Sequence, residues 1–471
     1  MWLAPVVGQC QQFPRAGAQL GPAGRTVMLS GHIRSLTIAA AVTLMTGVTQ
    51  AQELEDRLVI VTSFSKDLTT PFAQAFQKKY PGTKVEVQNR NTAAAIAFIR
   101  ETKSSPPDIF WASSPDAFEV LKKDSLLHKY KPKMPGIADK VGSYPINDPD
   151  NFYTGFAASG YGIMYNTRYL RANNLPAPRE WDDLKKPIYF SHVGFSAPSR
   201  SGTSHLTVET ILQGEGWDKG WATLMEIAGN FAQVSDRSFG VPDAVNSGQY
   251  GVGIVIDFFG LSAKASGFPV EFVYPTVTAI VPANVGIIAN AKHQKAAEAF
   301  VEFLLSDDGQ MVLLHPKIQR LPVRPDIYAK APAGYPNPFK DKGLGAKVNF
   351  NADLSEGRYE LLNSLFDRLI TFRLKDLNAA WQAIHRAEQK LGSGANAEAK
   401  RLLAEARKKA SGVPITEKEA SDPAIAGAFV RLQKGQKVVG RQAEFEQKWD
   451  AFASQNYAEA KSLAEKALTA K

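Results

Sequence analysis

"RLVIVTSFSKDLTTPFAQAFQKKYPGTKVEVQNRNTAAAIAFIRETKSSPPDIFWASS", Arg57 to Ser114, decides the fold. "RLVIVTSF" is a β-branched apolar run, as a buried parallel strand requires. After it, Thr69 or Thr70 suits a helix cap, Pro71 suits a first turn, and Phe72, Ala75 and Phe76 share one face. "TKVEVQNR" alternates as a half-buried strand, "TAAAIAFIRETKSS" reads as a helix and "PPDIFWASS" as a third strand. The helix "PDAFEVLKKDSLL" follows. Strands alternating with helices in this way predict a parallel α/β sheet.

Outward from there the pattern lengthens. "FYTGFAASGYGIMYNT", Phe152 to Thr167, alternates for too long to serve one small sheet and predicts a crossing between two. "PVEFVYPTVTAIVPANVGIIAN" predicts a second crossing. Between them lie further helix and strand signals, ending in the glycine-spaced strand "GVGIVI". "HQKAAEAFVEFLLSDDGQMVLL", His293 to Leu314, predicts one strongly amphipathic helix. From Ala331 a Pro/Gly-rich linker leads to a helical tail that predicts a scaffold packed on the rest.

The chain has 471 residues, enough for two or three domains. Its formal charge is +9. The lysines are scattered and no basic stretch interleaves with aromatics, which argues against nucleic acid. Near the start, Leu36 to Val48 is a short apolar run preceded by His32 and Arg34 and followed by "TQA", Thr49 to Ala51. That pattern predicts a secretion signal cleaved before Gln52, with Met28 as the alternative start and an uncleaved membrane anchor as the competing reading. Cleavage would remove Cys10, the only cysteine, as suits an oxidising compartment.

The chemistry-bearing residues follow strands or open helices. "SAPSRSGTSHLTVE" gathers Arg200, Ser201, Gly202 and Thr203 ahead of a helix. Free N–H groups, hydroxyls and an arginine there suit an anion, with Gly202 admitting it close to the backbone. A plain N-cap would use only one of these hydroxyls. Asp257 follows a buried strand and suits a sugar hydroxyl, an amine or a cation, or else a helix cap. Ser63 and Ser65, and Ser113 and Ser114, sit likewise after the first and third strands. "SFSK", Ser63 to Lys66, matches Ser-x-x-Lys without its partner motifs. G-x-S-x-G, the phosphate-binding glycine loop and H-E-x-x-H are absent, and the histidines lack metal-ligand spacing, so no enzyme, metal or cofactor is expected.

"LVIVTSFS", "PDIFWASSPDAFEVL", "GYGIMYNT", "SAPSRSGTSHLTVE", "SFGVPDAVNSGQYGVGIVIDFFG" and "LLSDDGQMVLL…LPVRPDI" together resemble the extracellular solute-binding proteins of ATP-binding-cassette importers, in the branch of ferric-iron, phosphonate and phosphorylated-sugar receptors. The resemblance covers roughly residues 55–330. It implies a two-lobed α/β periplasmic-binding-protein fold of type II, with two crossing hinge strands and a helical C-terminal extension. Residues 1–51 would be the N-terminal extension and signal peptide, 55–155 with 275–330 lobe 1, 156–274 lobe 2, and 331–471 the linker and extension. It further implies a periplasmic monomer that binds a small anionic solute in an interlobe cleft and partners an ABC permease in the inner membrane. Two alternatives are a regulator signalling to a membrane sensor kinase and a ferric-iron-binding protein. Iron-binding relatives use adjacent tyrosines, and this sequence has no Tyr-Tyr pair, which favours a phosphate ester, phosphonate or carboxylate.

Overall fold

The computed structural model describes residues 54–470 apart from 134, 346 and 431–436. The expected signal peptide lies outside them. Strand β1, Arg57–Thr62, pairs in parallel with β2, Lys84–Asn89, on one side and with β3, Ile109–Ala112, on the other. Helices α1 (Lys66–Lys79), α2 (Thr92–Glu101) and α3 (Pro115–Lys123) connect and follow these strands.

One boundary differs from expectation. α1 starts at Lys66, ahead of both threonines, with Ser65 at its cap position and Pro71 inside it. The Ser65 carbonyl accepts the N–H groups of Leu68 and Thr69 at 3.2 and 3.1 Å, which closes the first turn early and leaves Thr69 buried in the helix.

Strand β4, Thr154–Asn166, runs through both parts of the sheet. Its first residues pair with β9 (Ile280–Ile288), and Tyr161 to Tyr165 pair with β7 (Val252–Ile256). Beyond β7 lie β5 (Val193–Ser196) and β6 (Phe231–Ser235), giving the order β2-β1-β3-β9-β4-β7-β5-β6. β8 (Val270–Val273) also pairs with β4. The second crossing is therefore β8, a loop and β9 rather than one strand. It passes so near β4 that a Cβ at Gly162 would lie 2.2 Å from the Val273 carbonyl, which accounts for small residues in mid-strand.

In the second part, α4 (Gly202–Glu215), α5 (Gly240–Ser247) and α6 (Asp257–Ala265) follow β5, β6 and β7. The helix expected over His293–Leu314 is two, Gln294–Leu305 and Asp307–Leu313. Ser306 leaves helical backbone at ψ 167°, and its Oγ accepts the Gly309 N–H.

The C-terminal extension forms α7 (Ala352–Gly357), α8 (Tyr359–Phe366), α9 (Leu374–Leu391), α10 (Ala397–Ser411) and α11 (Gly440–Ala467). It does not make a core of its own. Leu361, Leu365, Trp381 and Trp449 belong to the same buried cluster as Ile163, Val208, Trp221 and Ile254. A second cluster, around Phe72, Trp111, Phe156 and Phe300, fills the part built on β1 and β9.

Candidate functional site

In a parallel array, strand carboxyl ends and helix N-termini come to one edge. Here two such edges face each other across a narrow cleft. Six of the sequence-selected residues meet on its walls: Ser63, Ser65, Ser113, Arg200, Ser201 and Thr203. Phe64 after β1, Asn91 and Thr92 at the start of α2, Arg237 to Phe239 ahead of α5, and Phe258 and Phe259 in the first turn of α6 complete it. The first turns of several helices thus present partial positive charge to one space.

Each side chain has a defined position. Ser201 Oγ accepts the Ser204 N–H at 3.3 Å, so it caps α4 and also lines the cleft. Arg200 is half-exposed and pairs with Asp236 at the mouth. Arg237 donates to Asn89 Oδ1 at 2.8 Å from the opposite wall, and burial pulls its guanidinium below its ordinary range. The Gly202 N–H donates to Thr92 Oγ1 at 3.3 Å, so the two walls touch.

Ser114, Gly202 and Asp257 are not on the cleft wall. Ser114 donates to Asp116 within α3's first turn. Gly202 turns its bare Cα to the facing helix: a Cβ there would lie 2.5 Å from Ser114 Oγ and 3.2 Å from Thr92 Cγ2. Its missing side chain admits α3, not an anion. Asp257 is fully buried and accepts from Gly160 N at 2.7 Å, Phe258 N at 2.7 Å and Tyr274 Oη at 2.9 Å. Burial pushes its carboxyl up to about 6, against those hydrogen bonds and the charge of Arg320.

Arg320 is the residue that motif reading missed. It is 0% exposed. Its Nη2 donates to Ser113 Oγ at 3.0 Å, and its guanidinium carbon lies 4.6 Å from the Phe64 ring and 4.2 Å from that of Phe258, all three being cleft residues. Nε and Nη1 have no hydrogen-bond partner. Burial pulls this guanidinium down to about 10, with the Asp257 carboxylate opposing. A buried cation with two unpartnered nitrogens is costly unless an anion meets it. The only signal in the sequence was an arginine opening the apolar run Leu321 to Val323.

The donor set is therefore hydroxyls, amides and guanidinium groups, with no carboxylate, tyrosine or histidine on the wall. A ferric ion needs hard anionic oxygens, which this wall does not supply. Among the described residues no three His, Cys, Asp or Glu side chains gather as metal ligands, and no helix is long and apolar enough to cross a membrane.

Residues 104–343 match the family described as bacterial extracellular solute-binding protein. The phosphoglycerate transport regulatory protein PgtC of Salmonella typhimurium is 32% identical over 378 residues, covering 80% of this chain and 90% of that protein. Two solved structures share the fold at 22% identity. One is the periplasmic binding protein P5PA, with a TM-score of 0.58 over 68% of this chain and 99% of that one. The other is the periplasmic binding protein AfuA from Actinobacillus pleuropneumoniae, with a TM-score of 0.55 over 66% of this chain and 98% of that one.

Proposed function

Because the chain belongs to the bacterial extracellular solute-binding proteins, we propose that it is a periplasmic receptor holding a small organic anion for delivery to an ABC permease. Residues 55–155 with 275–330 act as one lobe and 156–274 as the other, hinged where β4 and the segment between β8 and β9 cross. The leader, residues 1–51, directs export and is removed. The ligand is a phosphate ester, phosphonate or carboxylate.

Arg320 carries the proposal: a fully buried guanidinium beneath hydroxyl-lined walls, with Nε and Nη1 unpaired. A phosphate monoester bears about −1.5 to −2 charge at pH 7 and offers three acceptor oxygens. It can take Arg320 together with Ser113, Thr203 and the helix N–H groups. The name of the Salmonella relative makes phosphoglycerate the first compound to try. That name also includes regulation, which supports a second reading in which the liganded protein reports to a membrane sensor kinase.

Thermal-shift measurements on the exported protein test this, with phosphoglycerate, fructose 6-phosphate, inorganic phosphate, a phosphonate, citrate and ferric ion as probes. A ligand at 100 times its Kd adds about 2.7 kcal/mol of stability, a rise of several degrees. The bound compound should be recovered chemically unchanged. A response to ferric ion and to none of the anions would reject the proposal.

A further inference from the structure

α4 has its first turn at the cleft and its body covered by the C-terminal extension. His205, Glu209 and Gln213 are spaced by four residues and share one helix face. All three bond to the chain beyond residue 350. His205 Nδ1 lies 2.9 Å from Asn363 Oδ1, and its Nε2 lies 3.0 Å from Ser355 Oγ. Glu209 takes two hydrogen bonds from Arg358, each 2.7 Å, with both residues buried. Gln213 exchanges two hydrogen bonds with the Asn351 backbone at 2.7 and 3.1 Å.

The same segment reaches across to α3. Ser355 Oγ donates to Asp116 Oδ2 at 3.0 Å, and Glu356 pairs with Lys123. Asp116 stands 3.3 Å from His205 Nε2, and both are fully buried. Asp116 lies two residues after Ser114, the residue that abuts Gly202. The place where the cleft walls touch is thus also the place where the extension spans them. The segment holds both walls: on the α4 side there is a buried bidentate ion pair and a shared apolar core, and on the α3 side α7 lies along α3, with one hydroxyl contact, one ion pair and the Phe350 ring against Tyr144.

Resting on the receptor function proposed above, we propose that residues 350–363 are a clasp that bridges α3 and α4 when the cleft is closed and releases one of them when it opens. Closure and seating of the clasp are then one equilibrium, and any ligand that favours closure also seats it. The extension supplies closed-state contacts of its own, so the ligand-free protein is already biased toward closure.

Neither Lys123 nor Glu356 lines the cleft; Lys123 is largely exposed, whereas the Glu356 side chain is mostly covered, so the melting curves below decide whether its reversal is tolerated. In the ligand-free protein, Glu356→Lys should open the cleft, seen as several-fold faster hydrogen exchange at the Gly202 amide and a larger radius by small-angle scattering. Lys123→Glu combined with Glu356→Lys should restore both, and Ser355→Ala should open the cleft by the other contact. Melting curves report whether each variant folds. Unchanged exchange and radius in both Glu356→Lys and Ser355→Ala would overturn the clasp. So would opening in Glu356→Lys that the reversed pair does not repair. No ligand is added, so these results stand apart from the outcome of the anion screen.

Discussion

Replacing Arg320 with methionine separates a ligand-binding arginine from a structural one. Two of its nitrogens, Nε and Nη1, have no partner within the protein. A hydrogen bond to a charged group contributes about 1.5–3 kcal/mol. Two such bonds to an anion give about 3–6 kcal/mol, or roughly 10²- to 10⁴-fold in affinity. In the ligand-free protein the balance runs the other way. An isolated buried cation costs several kcal/mol, against one hydrogen bond to Ser113 and the contacts with Phe64 and Phe258. Methionine fits between aromatic rings and makes favourable sulfur contacts. Ligand-free Arg320→Met should therefore melt at or above the parent temperature while titration calorimetry with the anion found in the screen shows at least a hundredfold loss. Arg320→Lys keeps the charge without the planar fork and should fall between. A variant that loses several kcal/mol of stability yet binds within threefold of the parent would refute the reasoning.

Gly202→Ala places a methyl group 2.5 Å from Ser114 Oγ, but only while the walls touch. It should disfavour the closed cleft and weaken the same anion about tenfold by calorimetry. Equal affinity would show that the contact is not needed for closure. Asp257→Asn concerns pH. Burial holds the parent carboxyl near 6 rather than 3.8, so the folded state keeps its proton where the unfolded state has lost it. Relative to the variant, the parent should be most stable below pH 4 and lose about 3 kcal/mol as the pH rises through 6. Urea unfolding of both ligand-free proteins at pH 4 and 7.5 measures this, and parallel pH dependences would reject it.

Local patterning carried the fold a long way. Alternation of apolar runs with capped helices is a short-range property, and it was enough to place β1, β2, β3 and β7 with the helices around them. It also led to the cleft. Parallel strands put their carboxyl ends on one edge whatever else the chain does, so Ser63, Ser65, Ser113, Ser201 and Thr203 had to lie near an edge once they were recognised as post-strand residues. The start of α1 and the break at Ser306 differ from expectation because caps compete locally, and the backbone of Ser65 and the hydroxyl of Ser306 prevail through bonds only three or four residues long.

What tertiary structure alone decided is each group's partner. Gly202 looked like a doorway for an anion and is a contact surface for α3, because its neighbour comes from 88 residues earlier in the chain, at Ser114. Asp257 looked like a ligand group and is occupied by Gly160 and Tyr274. Arg320 carries no motif; its meaning lies in being enclosed by Ser113, Phe64 and Phe258 with two nitrogens left over. The clasp joins His205 to Ser355 across 150 residues. Periodicity and capping act within a few residues, whereas burial and hydrogen-bond satisfaction depend on every segment that packs against a group, and those segments meet only in the folded chain.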